Sequence, residues 1–347
     1  YINELPEKEI EVSYNSNGWR DEEHNLSDTA DTFRIVVLGD SFMESYSVDL
    51  QNSFAKKIES KISQMGIDVE VYNLGVGGYG TLQEYLVYRD VGQKYKPDIV
   101  LLGMYLGNDI RNNSYTLESM LSVSTDKVES RPFLVSSELP AWKISEIDYE
   151  ASLHRYQNAE TNLKADIKKY VNNTAVGTLL KNSFNQFTGI IRNDSTYLEA
   201  QAEKSLALCG VHYCQEPSLY TDSWIITERI LMRLNKKVSN SKASLVVFTV
   251  PSLFEIDKNE MENVYQQIPK SDNLCLEEAP GYDRLDGILE KLDIEYVNLL
   301  PPFRDLKQNN KILYNASDKH WNANGHRKAT EEVLSYLINN KLLPSIK

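Results

Sequence analysis

Phe33-Arg34-Ile35-Val36-Val37-Leu38-Gly39-Asp40-Ser41-Phe42 is the segment around which the chain is organised. It is a hydrophobic strand that runs into a tight Gly-Asp-Ser turn. A serine at the carboxyl end of a parallel strand sits where open α/β sheets bind ligands. Such a turn exposes a hydroxyl and sets backbone N–H groups beside it, as acyl transfer requires. Taken alone the turn is a weak signal, because Gly, Asp and Ser all favour ordinary turns.

Working outward, Gln51–Met65 carries Phe54, Ile58, Ile62 and Met65 at helical spacing and ends at Gly66. Val69–Leu74 reads as a second strand and ends in the glycine-rich turn Gly75-Val76-Gly77-Gly78-Tyr79-Gly80. A helix follows over about Thr81–Lys94. A third strand, Ile99–Tyr105, ends in Leu106-Gly107-Asn108-Asp109. Further on, strands are expected at Ser244–Val250 and Ile294–Asn298, with a helix over about Tyr282–Leu292 between them. A loop holding Pro301-Pro302 then leads to Asp318-Lys319-His320-Trp321-Asn322. A last helix from about Ala323 turns Ala329, Val333, Leu334, Leu337 and Ile338 inward. Strands alternating with helices imply parallel pairing in a three-layer α/β/α sandwich around a mainly parallel five-stranded sheet. Parallel pairing puts the carboxyl ends of the strands on one edge, and right-handed crossovers preserve that arrangement.

The alternation breaks between 115 and 243. That segment is polar and mostly helical in pattern, clearest over Ala151–Leu180 and Asp222–Lys237. It is too long for a structureless loop. It reads as an inserted helical subdomain or cap, with a surface insertion of no function as the alternative. Three parts are therefore expected: a polar arm over 1–32, a body formed by 33–114 and 244–347, and the insertion. In the arm only Tyr14 and Trp19 look able to anchor.

Of 347 residues 41% are apolar, enough for a sizeable core, and 37 basic against 50 acidic side chains give a net charge of −13. That balance disfavours nucleic acid, whose affinity comes from Lys and Arg against phosphate. No run approaches the ~20 apolar residues of a membrane span. The chain begins at Tyr1, so a targeting segment or anchor removed upstream is expected, with an extracytoplasmic location. Three cysteines are present. Cys209 and Cys214 either pair locally in an oxidising compartment or remain thiols beside Cys275. His212 lies between the first two, but no second ligand cluster accompanies them and no metal is expected.

Four features share the sheet edge: Ser41, the turn at Gly75–Gly80, Asn108, and Asp318 with His320. Ser41 needs a base at neutral pH, and His320 can serve. Asp318 can accept from the other imidazole nitrogen. The Ser41 and Gly78 N–H groups and the Asn108 amide would complete an oxyanion hole.

With these residues in order, the chain resembles the SGNH hydrolases, also called GDSL esterases and lipases, over about 33–110 and 244–340. The motifs stand as Gly39-Asp40-Ser41-Phe42, Asn73-Leu74-Gly75-Val76-Gly77-Gly78, Gly107-Asn108-Asp109 and Asp318-Lys319-His320-Trp321-Asn322. Asn17-Gly18-Trp19-Arg20 resembles a lead-in found in some members. The family usually spaces its acid three residues before the histidine, whereas Asp318 is two before His320. That variant looks more like the branch containing alginate O-acetyltransferases. The resemblance implies a Ser-His-Asp esterase without cofactor, acting on an acyl ester, first of all a carbohydrate-linked acetyl. An O-acyltransferase on an envelope polysaccharide and a non-catalytic binding module are the rivals.

The neighbouring polar groups have plainer readings. Asp40 stabilises its turn, Asp109 orients the Asn108 loop, and His326 is structural. His24, His154 and His212 lack an acidic partner at informative spacing. Trp321 packs the histidine loop or lines a pocket. Trp142, Tyr149 and Tyr156 read as core rather than as a sugar platform.

Overall fold

The structure, a computed structural model, describes residues 10–24, 32–121, 131–134, 144–145, 204–267, 273–309 and 311–344. Five strands form one sheet: β1 (Phe33–Gly39), β2 (Val69–Asn73), β3 (Ile99–Met104), β4 (Ser244–Thr249) and β5 (Glu295–Val297). Their order is β2-β1-β3-β4-β5, and every pairing is parallel. The register sets Val37 against Asn73, Gly39 against Gly103 and Met104 against Thr249. The carboxyl ends therefore stand in line. The chain moves outward from β1 to β2 and then crosses back to β3. The point of reversal, where such sheets bind ligands, lies between the ends of β1 and β3. Ser41 and Asn108 follow those two ends.

Helices cover both faces, as a sheet buried on each side requires. On one face α2 (Phe54–Gln64), which follows the short helix α1 (Ser41–Glu44), packs against the last helix, Ala323–Asn339. Ser53 caps α2 by accepting from the Lys56 N–H at 3.3 Å, and Phe54, Ile58 and Ile62 are buried on its inner stripe. On the other face α3 (Thr81–Asp90) packs against the helix Ser218–Asn240. Trp224, Ile230, Leu231 and Leu234 of that helix enter the core, while Ile225 faces solvent. Ser218–Asn240 thus serves as the crossover before β4, in the layer of the sandwich itself. The stretch Ala151–Leu180 lies outside the described residues.

Three local expectations need correction. Pro301 and Pro302 do not sit in a loop but open the helix Leu300–Gln308. Proline is tolerated there because the first-turn N–H groups have no helical partner. In the last helix Ala329, Val333, Leu334 and Leu337 point inward, but Ile338 is exposed. The cysteines pair differently from the local option: Cys214 bonds Cys275 across 61 residues, and Cys209 is a buried free thiol. The antiparallel bridge Tyr213–Leu274 aligns the two segments so that the distant sulfur is the near one.

Candidate active site

Ser41 opens a four-residue helix, α1 (Ser41–Glu44), immediately after β1. Asp40 caps it: its carboxylate accepts from the Phe42 N–H at 2.9 Å. Ser45, in the left-handed region at φ 61°, ends it and turns the chain toward Tyr46. The polar arm locks this turn from behind. Arg20, fully buried, donates to the carbonyls of Ser45 and Val48, each at 2.5 Å, and of Glu44 at 3.2 Å. Asp21 accepts from the Asn73 N–H at 2.8 Å, and the Asn73 amide donates to the Met43 carbonyl at 2.9 Å. The arm is therefore anchored by Arg20 and Asp21 as well as by the packed Trp19, while Tyr14 lies exposed and reaches the Glu44 carboxylate at 2.6 Å. His24 does have an acidic partner, Asp21, at 2.9 Å.

His320 comes from the tip of a short antiparallel turn closed by the Tyr314–Trp321 bridge and by the Asn315 N–H donating to the His320 carbonyl at 2.9 Å. Asn322 caps the helix that follows, accepting from the Asn324 and Gly325 N–H groups. This places His320 Nε2 2.7 Å from Ser41 Oγ, across 279 residues. Three oxygens surround Nδ1: the Asp318 carbonyl at 3.1 Å, Tyr46 Oη at 3.2 Å and Asp318 Oδ2 at 3.5 Å. The other carboxylate oxygen of Asp318 accepts from the His320 backbone N–H at 3.0 Å.

The turn after β2 lies against α1. A Cβ on Gly75 would meet the Glu44 nitrogen and the Met43 carbonyl carbon at 2.6 Å, so only glycine permits the approach. Gly78 adopts φ 77°, a left-handed conformation that glycine supplies without strain. Glu44 accepts from the Gly77 N–H at 2.6 Å. Arg131 donates to the Gly78 carbonyl at 2.7 Å, joined by the Asn112 amide at 3.3 Å. Among the described residues no hydrogen bond engages the N–H of Ser41 or of Gly78. Asn108 donates one amide hydrogen to Asp40 at 2.8 Å, which ties the β3 loop to the Ser41 turn and leaves the second hydrogen uncommitted.

Behind this rim lie three fully buried carboxyls, Asp40, Glu84 and Asp109. Burial pushes Asp40 up to about 6, against the Phe42 N–H and the Asn108 amide, which favour the charged form. Burial also raises Glu84 and Asp109 well above the carboxylate range, and each of the two is raised further by a neighbouring carboxyl. Asp109 accepts from the Tyr105 N–H at 2.8 Å and so fixes the start of the Asn108 loop.

The remaining groups sit apart from the rim. His326 is buried, pushed down to about 3 by desolvation, and packs edge-on to Trp321. Trp321 is itself fully buried against Phe303 and Phe42. His212 is buried 3.7 Å from Glu255, another acidic neighbour that the sequence spacing did not reveal. His154, Trp142, Tyr149 and Tyr156 lie outside the described residues. Among the described residues no group of His, Cys, Asp and Glu is arranged to hold a metal ion. Four residues at or near the rim escaped sequence reasoning: Arg20, Glu44, Tyr46 and Arg131. Only Arg20 had a signal, its place in Asn17-Gly18-Trp19-Arg20.

No family model matches the chain, and no curated protein does. Solved structures similar in fold include an acetyl xylan esterase, AlAXEase, at 12% identity and TM-score 0.42, covering 87% of this chain and 98% of that one. TesA matches at 11% identity and TM-score 0.43, over 89% and 99% of the two chains. A single-residue variant of Axe2, an acetyl xylan esterase from Geobacillus stearothermophilus, matches at 11% identity and TM-score 0.44, over 88% and 94%.

Proposed function

We propose that the chain is a serine esterase of the SGNH type that cleaves an acyl ester, with a carbohydrate-linked acetyl as the substrate class. The observation that carries this is the 2.7 Å approach of Ser41 Oγ to His320 Nε2 at the carboxyl edge of a parallel sheet. In that reading the Ser41 proton passes to His320 Nε2 as Oγ attacks the ester carbonyl. The carbonyl oxygen becomes an oxyanion held by the Ser41 N–H, the Gly78 N–H and the free amide hydrogen of Asn108. Collapse expels the alcohol, which takes the proton from His320. Water then repeats the sequence on the acyl-serine and releases the acid. Asp318 accepts from Nδ1 and stabilises the imidazolium.

The two-residue spacing of Asp318 and His320 favours a second reading, transfer of the acyl group to a sugar hydroxyl in place of water. Either reaction would suit an extracytoplasmic setting, which the Cys214–Cys275 disulfide supports. The test is direct. Ser41 should be labelled by a fluorophosphonate, and Ser41→Ala should lose both labelling and hydrolysis of p-nitrophenyl acetate. Wild-type turnover by Ser41→Ala defeats the proposal. Acetyl release measured with and without an oligosaccharide acceptor separates hydrolysis from transfer.

A further inference from the structure

We propose that Tyr46 is a positioning residue for His320, sharing with Asp318 the task of accepting the imidazole Nδ1–H. The proposal rests on the reading of Ser41 and His320 as nucleophile and base.

The short spacing of the acid constrains its carboxylate. With one residue between them, the Asp318 carboxylate and the His320 N–H close an Asx turn at 3.0 Å, with Lys319 held at φ 60°. One carboxylate oxygen is thereby committed to the backbone. The other is left 3.5 Å from Nδ1, the farthest of the three oxygens around it. The carboxylate that would orient the base is occupied in building the loop that presents it.

Tyr46 fills the gap. Its hydroxyl stands 3.2 Å from Nδ1, closer than the Asp318 carboxylate. To accept the Ser41 proton, Nε2 must be bare, so a neutral imidazole carries its hydrogen on Nδ1. The two Asp318 oxygens near Nδ1 accept only, which selects the same tautomer, and Tyr46 Oη joins them as an acceptor. Burial, then the nearby Asp318, Glu44 and Asp40 carboxylates, raise the phenol's pKa, so it remains a neutral acceptor. The ring matters as well. Tyr46 lies 5.0 Å from the imidazole and Phe42 4.7 Å, centroid to centroid. The nucleophile segment thus grips the base through two rings, and the left-handed turn at Ser45 brings the second ring round.

The experiment compares wild type, Tyr46→Phe, Asp318→Asn and the double variant. Tyr46→Phe keeps the ring, so the fold should survive, and an unchanged melting temperature verifies that. Proton NMR reads the downfield Nδ1–H resonance, assigned by its loss in His320→Gln. We expect it to move or exchange faster in Tyr46→Phe, because one acceptor is gone. For turnover, kcat should fall about 3–10-fold at unchanged KM, the size of one hydrogen bond. The double variant should lose more than the product of the single losses, since each acceptor covers in part for the other. An unshifted Nδ1–H resonance in Tyr46→Phe overturns the proposal, as does multiplicative behaviour in the double variant. The resonance can be read whether or not the protein turns over an ester, so failure of the esterase reading is seen separately, as an unlabelled Ser41 in the wild type.

Discussion

Arg131 donates to the carbonyl of Gly78 at 2.7 Å, so a residue 53 positions downstream holds the turn whose N–H would belong to the proposed oxyanion hole. Its guanidinium also reaches Gln83 at 3.3 Å and Glu118 at 3.7 Å, bracing the turn against α3. Replacing it with methionine keeps the bulk and removes the donors. We expect kcat of Arg131→Met to fall about tenfold, the size of one charged hydrogen bond, with little change in melting temperature. Unchanged kcat would show that the glycine turn holds its shape unaided.

Asp318 should matter less than the acid of an ordinary triad. Its carbonyl, 3.1 Å from Nδ1, remains after Asp318→Asn, and Tyr46 Oη is near. The loss in kcat/KM should be about 10–100-fold, well short of the ~10⁴ that removal of a triad aspartate costs. A full loss of about 10⁴-fold in steady-state kinetics would mean that the carboxylate alone orients the base.

The arm is expected to be part of the folded body. Arg20→Met leaves the Glu44, Ser45 and Val48 carbonyls without their buried donor. Unsatisfied buried acceptors cost about 1–3 kcal/mol each at most. A net destabilisation of about 2–4 kcal/mol in urea unfolding is expected, since relaxation admits water to some of them. An unaltered urea midpoint would show that the brace contributes nothing to stability.

Asp40 makes stability depend on pH in an unusual direction. Its carboxyl is raised from 3.8 to about 6 by burial, so the folded state holds more protons than the unfolded one between those values. Stability contributed by this group is complete below 3.8 and is lost as pH climbs toward 6. His326, pushed from 6.5 down to about 3, acts oppositely and favours folding as pH rises through that span. Asp40→Asn isolates the first effect. Between about pH 4 and 6 the unfolding free energy of the variant should rise relative to wild type; parallel curves would refute the assignment.

The disulfide closes a loop of 61 residues. Removing it as Cys214→Ala with Cys275→Ala should cost about 4 kcal/mol in the chain-entropy picture. Peptide mapping without reductant should recover the Cys214–Cys275 peptide and find Cys209 alkylated only after unfolding. A Cys209–Cys214 peptide would overturn the pairing.

The sheet was legible in the chain's own apolar pattern. Ile35–Leu38, Ile99–Leu102 and Leu245–Phe248 are short apolar runs bounded by turn residues, and a run buried on both faces is legible without its neighbours. The serine, the glycine turn, Asn108 and His320 were legible for the same reason, as each is tied to the end of an element whose position the pattern gives. Relationships between distant segments were settled by folding. Cys214 meets Cys275 because a β-bridge aligns Tyr213 with Leu274, which no spacing encodes. Arg20 is buried because three carbonyls of a distant turn receive it, although composition marks it as surface. Tyr46 reaches Nδ1 because the left-handed turn at Ser45 carries its ring to a loop 274 residues away. Periodicity reports which face of an element is buried. It carries no record of which polar atom will find which partner, because that depends on how the elements dock.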